Sequence, residues 1–371
     1  MNRLSACFLL SRFEAGGLER VQMHIATGLM RAGIQTELLT RRVDEQARSL
    51  LRSDVPLHAL GGGRLRFLLR LGIRLGKAKP GVIITSANDI GCFVLLLRGL
   101  LWRGSRIIWT QHSSISGQLH VSKGLRRIRL LLEIWLMRRL IQHADAVVAV
   151  SRSVADDMKH MLRPELSVHV IHNPVISEDF ELRSRLGIEW PWPDYSVPTV
   201  IFVGRLVSVK RLDLLLKAFA RCVHTMPARL LVVGDGPEAD MAANLAKELR
   251  LGEACKLVGH RENPLPWIRH ADLLVLCSDA EGFGLVLVEA MACGVQVVAT
   301  DCPDGPGEVL CDGRYGRLVP IGDFEALASA MLASLRSPFV TENDLRARAA
   351  EFSVEQAVAQ YIELLVSVVR R

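Results

Sequence analysis

In the stretch EGFGLVLVE, residues 281–289, two carboxylates stand eight positions apart, with Gly282 and Gly284 just after the first. The preceding run ADLLVLCS reads as a strand, DAEGFG as a turn, and LVLVEAMAC as a helix stopped by Gly294. Glu281 then stands at the carboxyl end of a strand. The backbone amides of Gly282, Phe283, Gly284 and Leu285 point from a helix N-terminus toward any anion placed there, and glycine lets a ligand approach the backbone closely. Glu289 falls on the first turns of that helix, where a carboxylate suits paired hydroxyls such as those of a ribose. Each glutamate alone reads as a surface residue. A second cluster, FVGRLVSVKRLDLL, puts Arg205 and Lys210 in the loop after a strand ending at Gly204. By itself it is a solvated basic loop; beside the glutamates, its two cations make a site for a diphosphate. The combination describes a pocket for a nucleotide diphosphate that carries a polyol.

A rival nucleotide signal is VVGDGPEA, where Gly234-x-Gly236-x-x-Ala239 follows a strand and precedes a helix, as a dinucleotide fingerprint does. Such a fingerprint also expects an acidic residue at the end of the next strand, to hold the ribose. That strand, CKLVGH, has none. Pro237 suits a plain helix start.

The elements that position these residues alternate. Strand signals SACFLL, QTELLT, GVIITS, RIIWTQH, AVVAVS and VHVIHNP fill the first half, with helical patterns such as LERVQMHIATGLMRAG between most of them. After EWPWPDYSVP, whose prolines forbid regular structure, the pattern restarts with TVIFVG, ARLLVVG, ACKLVGH, ADLLVLCS and VQVVAT. Alternation of this kind implies parallel sheets covered on both faces. The expected fold class is α/β, two Rossmann-like domains facing a central cleft, with ligands beyond the carboxyl ends of the strands. Expected boundaries are residues 1–180 for an acceptor-side domain and 195–350 for a donor-binding domain. An amphipathic helix follows at 353–371, whose apolar face could pack back on the first domain.

Composition narrows the classes. Among 371 residues, 50% are hydrophobic and 23% charged, and no run of 18 apolar residues is free of charge, so no membrane span is expected. MNRLSACFLLS reads as a first buried strand rather than a secretory signal. The eight cysteines include no C-x-x-C pair, which points to reduced thiols in the cytosol. Charge divides unevenly: residues 1–180 hold 26 Lys and Arg against 14 acids, whereas residues 181–371 hold 20 against 25. The basic half suits an anionic surface. Its stretches GGGRLRFLLRLGIRLGKAK and SKGLRRIRLLLEIWLMRRL interleave Arg and Lys with leucine, which suits docking on anionic lipid. Nucleic acid is not expected, because aromatic residues are only 5% and no RNA- or DNA-binding motif is present.

With these motifs assembled, the chain resembles glycosyltransferase family 4 (GT4), retaining enzymes of the GT-B fold, over nearly all its length. Glu281…Glu289 matches the family's E-x7-E motif, Gly204-Arg205…Lys210 its G-R-x4-K, and AGGLERV, with Gly16 and Gly17, its first-strand glycine loop. The resemblance implies that Arg205 and Lys210 hold a donor diphosphate and Glu289 its ribose. It gives Glu281 and the 282–285 amides the sugar and phosphates, and makes His112, in WTQHS, the histidine near the transferred sugar. CPDGPGEVL resembles CPSGPREIL of polysaccharide and lipid-linked oligosaccharide transferases, many of which use UDP-sugars; Asp304 and Gly307 depart from that form.

The expectation is a cytoplasmic transferase, peripheral on the inner face of the membrane, that moves a hexose or N-acetylhexosamine to a lipid-linked or polysaccharide acceptor. Front-face attack assisted by the leaving phosphate is the family's route to retention. No D-x-D occurs, and the eleven histidines form no convincing metal set, His169 and His172 of HVIH facing opposite sides of a strand. No cofactor or metal is therefore expected, and leaving-group charge falls on Arg205, Lys210 and the helix N-terminus. Nucleotide-sugar epimerases share the architecture but need no acceptor; a non-catalytic nucleotide-sugar sensor is the third alternative.

Overall fold

A computed structural model describes residues 4–14, 16–44, 47, 54–101 and 104–370. Ala15 of the first glycine loop lies outside them. The chain forms two units, residues 1–174 with 354–371, and residues 175–353.

In the first unit β1 (Ser5–Leu10) leads through α1 (Gly17–Arg31) to β2 (Gln35–Thr40) and β3 (Leu57–Ala59). Next come α2 (Arg64–Ala78), β4 (Val82–Thr85), α3 (Asn88–Leu101) and β5 (Arg106–Gln111). α4 (Ile115–Val121) and α5 (Gly124–Leu140) precede β6 (Ala146–Ala149), and α6 (Arg152–Met161) precedes β7 (His169–Val170). All seven strands run parallel in the order β3-β2-β1-β4-β5-β6-β7. Strands such as VIIT in β4 are buried on both faces, which is why they read as unbroken apolar runs.

The second unit begins with α7 (Phe180–Ser184), β8 (Thr199–Val203), α8 (Leu212–Thr225) and β9 (Arg229–Val233). α9 (Ala239–Glu248), β10 (Cys255–Gly259), α10 (Leu265–Arg269) and β11 (Leu273–Leu276) follow. α11 (Leu285–Cys293), β12 (Gln296–Thr300), α12 (Pro306–Val309) and β13 (Arg317–Val319) complete the sheet, and α13 (Phe324–Arg336) and α14 (Glu342–Ala350) close the unit. Its six strands are parallel in the order β10-β9-β8-β11-β12-β13. Strand order reverses between β8 and β11, which pair through Leu273↔Val200 and Leu274↔Ile201. A crevice at the carboxyl ends of two such central strands is where ligands of open α/β sheets bind.

Three boundaries differ from the sequence expectation. The first unit ends at Pro174 rather than 180, and residues 175–194 belong to the second unit. There the proline-rich segment forms no ladder but packs: Trp192 Nε1 donates to the Glu253 carbonyl at 2.8 Å, and Trp190 stacks on Tyr195. Prolines remove backbone donors without preventing side-chain burial. The second unit runs on to Ser353, where the Val175 and Ile176 amides donate to the Phe352 carbonyl. α15 (Val354–Arg370) then packs on α1 of the first unit. A Cβ on Gly28 would stand 2.3 Å from Val358 Cγ2, so glycine is what lets the two helices approach this closely.

Candidate functional site

The loops after β8 and β11 are tied together at the switch point of the second unit. The loop after β8 tightens into one 3-10 turn, Ser208–Lys210, and then passes through Arg211 in a left-handed conformation (φ 49°). A non-glycine residue held there costs about 1–3 kcal/mol unless its surroundings compensate. Here Arg211 is held by Asp213 and Asp279, each at 3.0 Å. The Asp279 amide donates to the Val209 carbonyl at 2.9 Å, and Cys277 Sγ donates to the Lys210 and Arg211 carbonyls. This stitching delivers Lys210 Nζ onto Glu281 Oε1 as an ion pair. Ser278 Oγ donates to the same carboxylate oxygen at 2.6 Å, and Thr300 Oγ1 fixes Ser278 through its carbonyl, also at 2.6 Å. Both charges are largely shielded, at 23% and 11% side-chain exposure, so the attraction is weakly screened. Arg205 is exposed on the same loop.

α11 starts against this pair. Gly284 is left-handed (φ 86°, ψ 51°) at the N-cap, a conformation only glycine adopts without cost. The helix starts at Leu285, so its first amides form the positive end of the helix dipole; the Leu287 amide is already bonded to the Gly284 carbonyl at 2.9 Å. At the other end Arg346 donates to the Ala292 and Cys293 carbonyls, offsetting the negative end. Glu289 is buried, 6% exposed, one turn into the helix. Phe283 turns its ring inward, edge-on to Phe352, so only its backbone can serve a ligand. A Cβ on Gly305 would stand 2.7 Å from the Phe283 carbonyl, which packs the Asp304–Pro306 corner onto the turn. Where the family form has arginine, Gly307 has Asp301 and Asp312 carboxylates 3.7 and 3.6 Å from its Cβ position.

The glycines of VVGDGPEA serve the same architecture. A Cβ on Gly234 would stand 1.8 Å from the Gly204 carbonyl oxygen, and one on Gly236 2.3 Å from that of Leu206. The Leu206 amide donates to the Asp235 carbonyl and the Glu238 amide to the Leu206 carbonyl. The fingerprint spacing thus belongs to the packing of two adjacent loops.

The remaining expected residues lie on the first unit. Gly16 caps α1 in an extended conformation, Gly17 opens the helix, and the Glu19 carboxylate folds back over Gly16. His112 follows β5 directly, and the Gln22 amide on α1 reaches its Nε2 at 3.0 Å. Amide N–H groups only donate, so that ring nitrogen accepts and the proton sits on Nδ1. Desolvation lowers the His112 pKa to about 4, opposed by a hydrogen bond that the ring donates to the Asn173 side chain, so the imidazole is neutral near pH 7. The structure therefore brings Lys210, Glu281, the 282–285 turn and Glu289 together in one unit, and His112, Gly16 and Gly17 in the other. Gln22, Asn173, Arg211 and Ser278 carried no signal of their own in the sequence. Among the described residues, no group of three or more His, Cys, Asp or Glu side chains could hold a metal ion, and no helix is long and apolar enough to cross a membrane.

Two groups of the first unit give opposite pH signatures. His112 takes a proton near 6.5 when unfolded but only near 4 when folded. The unfolded chain therefore binds more protons between these values, and this group's stabilisation is lost as pH falls. Burial raises Glu19 from 4.5 to about 7, so its stabilisation is present below 4.5 and lost as pH rises through 7. We expect Glu19→Gln to raise the melting temperature relative to wild type more at about pH 8 than at pH 4.5, and His112→Gln to flatten the loss below 6.5. Thermal melts across this range check both; an unchanged slope in Glu19→Gln would mean that Glu19 is ionised in the native state.

Residues 15–179 match the family model described as Glycosyltransferase Family 4, and residues 197–337 match Glycosyl transferases group 1. Lipopolysaccharide core biosynthesis glycosyltransferase LpsE of Rhizobium meliloti is 33% identical over 366 residues, covering 95% of this chain and 96% of LpsE. The chain belongs to glycosyltransferase family 4. This glycosyltransferase is also 31% identical over 245 residues to N-acetyl-alpha-D-glucosaminyl L-malate synthase of Bacillus anthracis, a match spanning 63% of each chain and so less than two thirds of the synthase. Among solved structures, Anabaena HepE in complex with UDP and glucose superposes with a TM-score of 0.81 at 23% identity, covering 98% of this chain and 100% of HepE. That likeness establishes the GT-B fold.

Proposed function

We propose that this glycosyltransferase moves a hexose or N-acetylhexosamine, with retention, from a nucleotide diphosphate sugar to a lipid-linked or polysaccharide acceptor of the cell envelope, and that the donor is a UDP-sugar. The observation that carries the reading is the Lys210–Glu281 pair set against the N-terminus of α11, with Glu289 buried one turn further. Lys210, with Arg205 on its loop, neutralises the departing diphosphate, aided by the first-turn amides of residues 282–285. Glu289 accepts from the ribose hydroxyls, and Glu281 meets the sugar. As the bond from the anomeric carbon to the phosphate oxygen breaks, the acceptor oxygen bonds to that carbon from the same face. Its proton passes to the leaving phosphate. The roles of Gly16, Gly17 and His112 rest on the family resemblance. The UDP preference draws on HepE, solved with UDP, and the envelope acceptor on LpsE, named for lipopolysaccharide core synthesis.

The test is thermal shift against UDP-, GDP- and ADP-sugars, followed by turnover with the donor that binds. A ligand at about 100 times its Kd stabilises by roughly 2.7 kcal/mol, a shift of several degrees. A UDP-sugar is expected to give it, with product of retained anomeric configuration formed equally in EDTA. No shift with any donor, or release of a donor with altered sugar configuration and no acceptor product, would overturn the proposal.

A further inference from the structure

Three neighbouring helices of the first unit each carry two apolar stripes, and only one stripe of each is needed by the core. α2 buries Phe67, Leu71 and Leu75, while Leu65, Leu69 and Ile73 repeat at the same helical spacing on exposed positions, Leu65 at 74%. α5 buries Leu130, Ile134 and Met137, and exposes Leu125, Ile128, Leu132 and Trp135, with Leu125 at 86%. Between them α3, packed against both, exposes Leu96 and Leu100. Scattered surface leucines need no explanation, but outward stripes on three adjacent helices do.

Charge decides what covers them. The three helices hold eleven Arg or Lys and only two acids, Asp89 and Glu133, and Asp89 is paired with Arg64 at 2.8 Å. Arginines alternate with leucines along both α2 and α5 rather than forming a rim. A protein interface depletes charge at its centre, and a second copy of this face would oppose like charges. A bilayer accepts both patterns at once: leucines reach the acyl boundary while arginines snorkel back to phosphates on their aliphatic stems. Trp135, exposed, with Arg139 over its ring at 5.7 Å, has the amphipathic form that settles at headgroup depth.

We propose that the outward stripes of α2, α3 and α5 form one face that inserts shallowly into an anionic phospholipid bilayer. The inference rests on the proposed membrane-borne acceptor for its purpose, but binding is read without donor or acceptor. Insertion differs from purely electrostatic docking, because salt weakens the arginine contribution and leaves the leucine contribution in place.

The experiment uses the full chain, since α15 belongs to the first unit and a fragment ending at residue 180 would lack it. Co-sedimentation is measured with phosphatidylcholine vesicles, with and without phosphatidylglycerol, at low and high salt. Binding is expected to be about tenfold or more tighter with phosphatidylglycerol, reduced but measurable at high salt. The combined variant Leu69→Ser, Leu132→Ser, Trp135→Ser should lose about tenfold or more on the same vesicles, with unchanged circular dichroism and donor thermal shift. Acyl-chain-brominated lipid should quench wild-type tryptophan fluorescence, and Trp135→Phe should remove most of that quenching. The proposal is overturned if wild type stays in the supernatant, if the triple variant binds equally, or if wild type self-associates through this face and the variant does not. Loss of the donor shift with vesicle binding intact would sink the functional reading and leave this one standing.

Discussion

Lys210→Ala is expected to lower kcat/KM for the correct donor by roughly 10- to 150-fold, the cost of about 1.5–3 kcal/mol for one charge-assisted hydrogen bond. The structure adds a sharper consequence. Lys210 and Glu281 form one ion pair, with Ser278 as the carboxylate's other donor. Among the described residues, removing the lysine leaves Glu281 the Ser278 hydroxyl as its side-chain donor, beside the position assigned to an anionic diphosphate. Adding Glu281→Gln to Lys210→Ala should therefore cost less than about threefold more, because groups in contact couple by roughly 0.5–3 kcal/mol. Steady-state kinetics on both singles and the double close the cycle. Wild-type kinetics in Lys210→Ala would misplace the phosphate site. Strict additivity would show that the two side chains meet separate parts of the donor.

Gly234→Ala should be the most damaging single-methyl substitution in the second unit. Its Cβ would stand 1.8 Å from the Gly204 carbonyl oxygen, a backbone atom that cannot move without its loop. Overpacking of this kind costs about 3 kcal/mol or more, which for a unit of this size lowers the melting temperature by roughly 6–12 °C. The displaced loop carries Arg205 and Lys210, so KM for the donor should rise as well. Gly187→Ala is the control, since nothing lies within 4 Å of its Cβ position; its change should stay within about 1 kcal/mol. Equal melting temperatures for the two variants would refute the close packing of these loops.

Much of the fold was legible along the chain. SACFLL and QTELLT coincide with β1 and β2, and TVIFV, RLLVV and QVVAT with β8, β9 and β12. Strands buried on both faces are continuous apolar runs, and their helices carry the 3.6-residue period, so local pattern suffices. The three-residue edge strands β3 and β13 were not read, because LHA and RLV sit in no extended apolar or alternating run, whereas the still shorter β7 lies in VHVIHNP, which has one. E-x7-E and G-R-x4-K were likewise visible, since each lies within one strand–turn–helix unit and its chemistry depends on near neighbours.

What the sequence could not show is what those two motifs are to each other. Lys210 and Glu281 are 71 residues apart, and only the pairing of β8 with β11 brings their loops together. Gly234 and Gly236 look like a dinucleotide fingerprint until β9 is seen beside β8, where they are clearances for the Gly204–Leu206 loop. The sequence offered the first domain as one place for the apolar stripe of α15, and the structure puts it there against α1; the stripe itself did not select that place, because amphipathicity names a face and not what covers it. Local spacing determined which residues could bind a nucleotide sugar; strand order decided which of them meet, because contacts between distant segments are set by how the chain crosses the sheet.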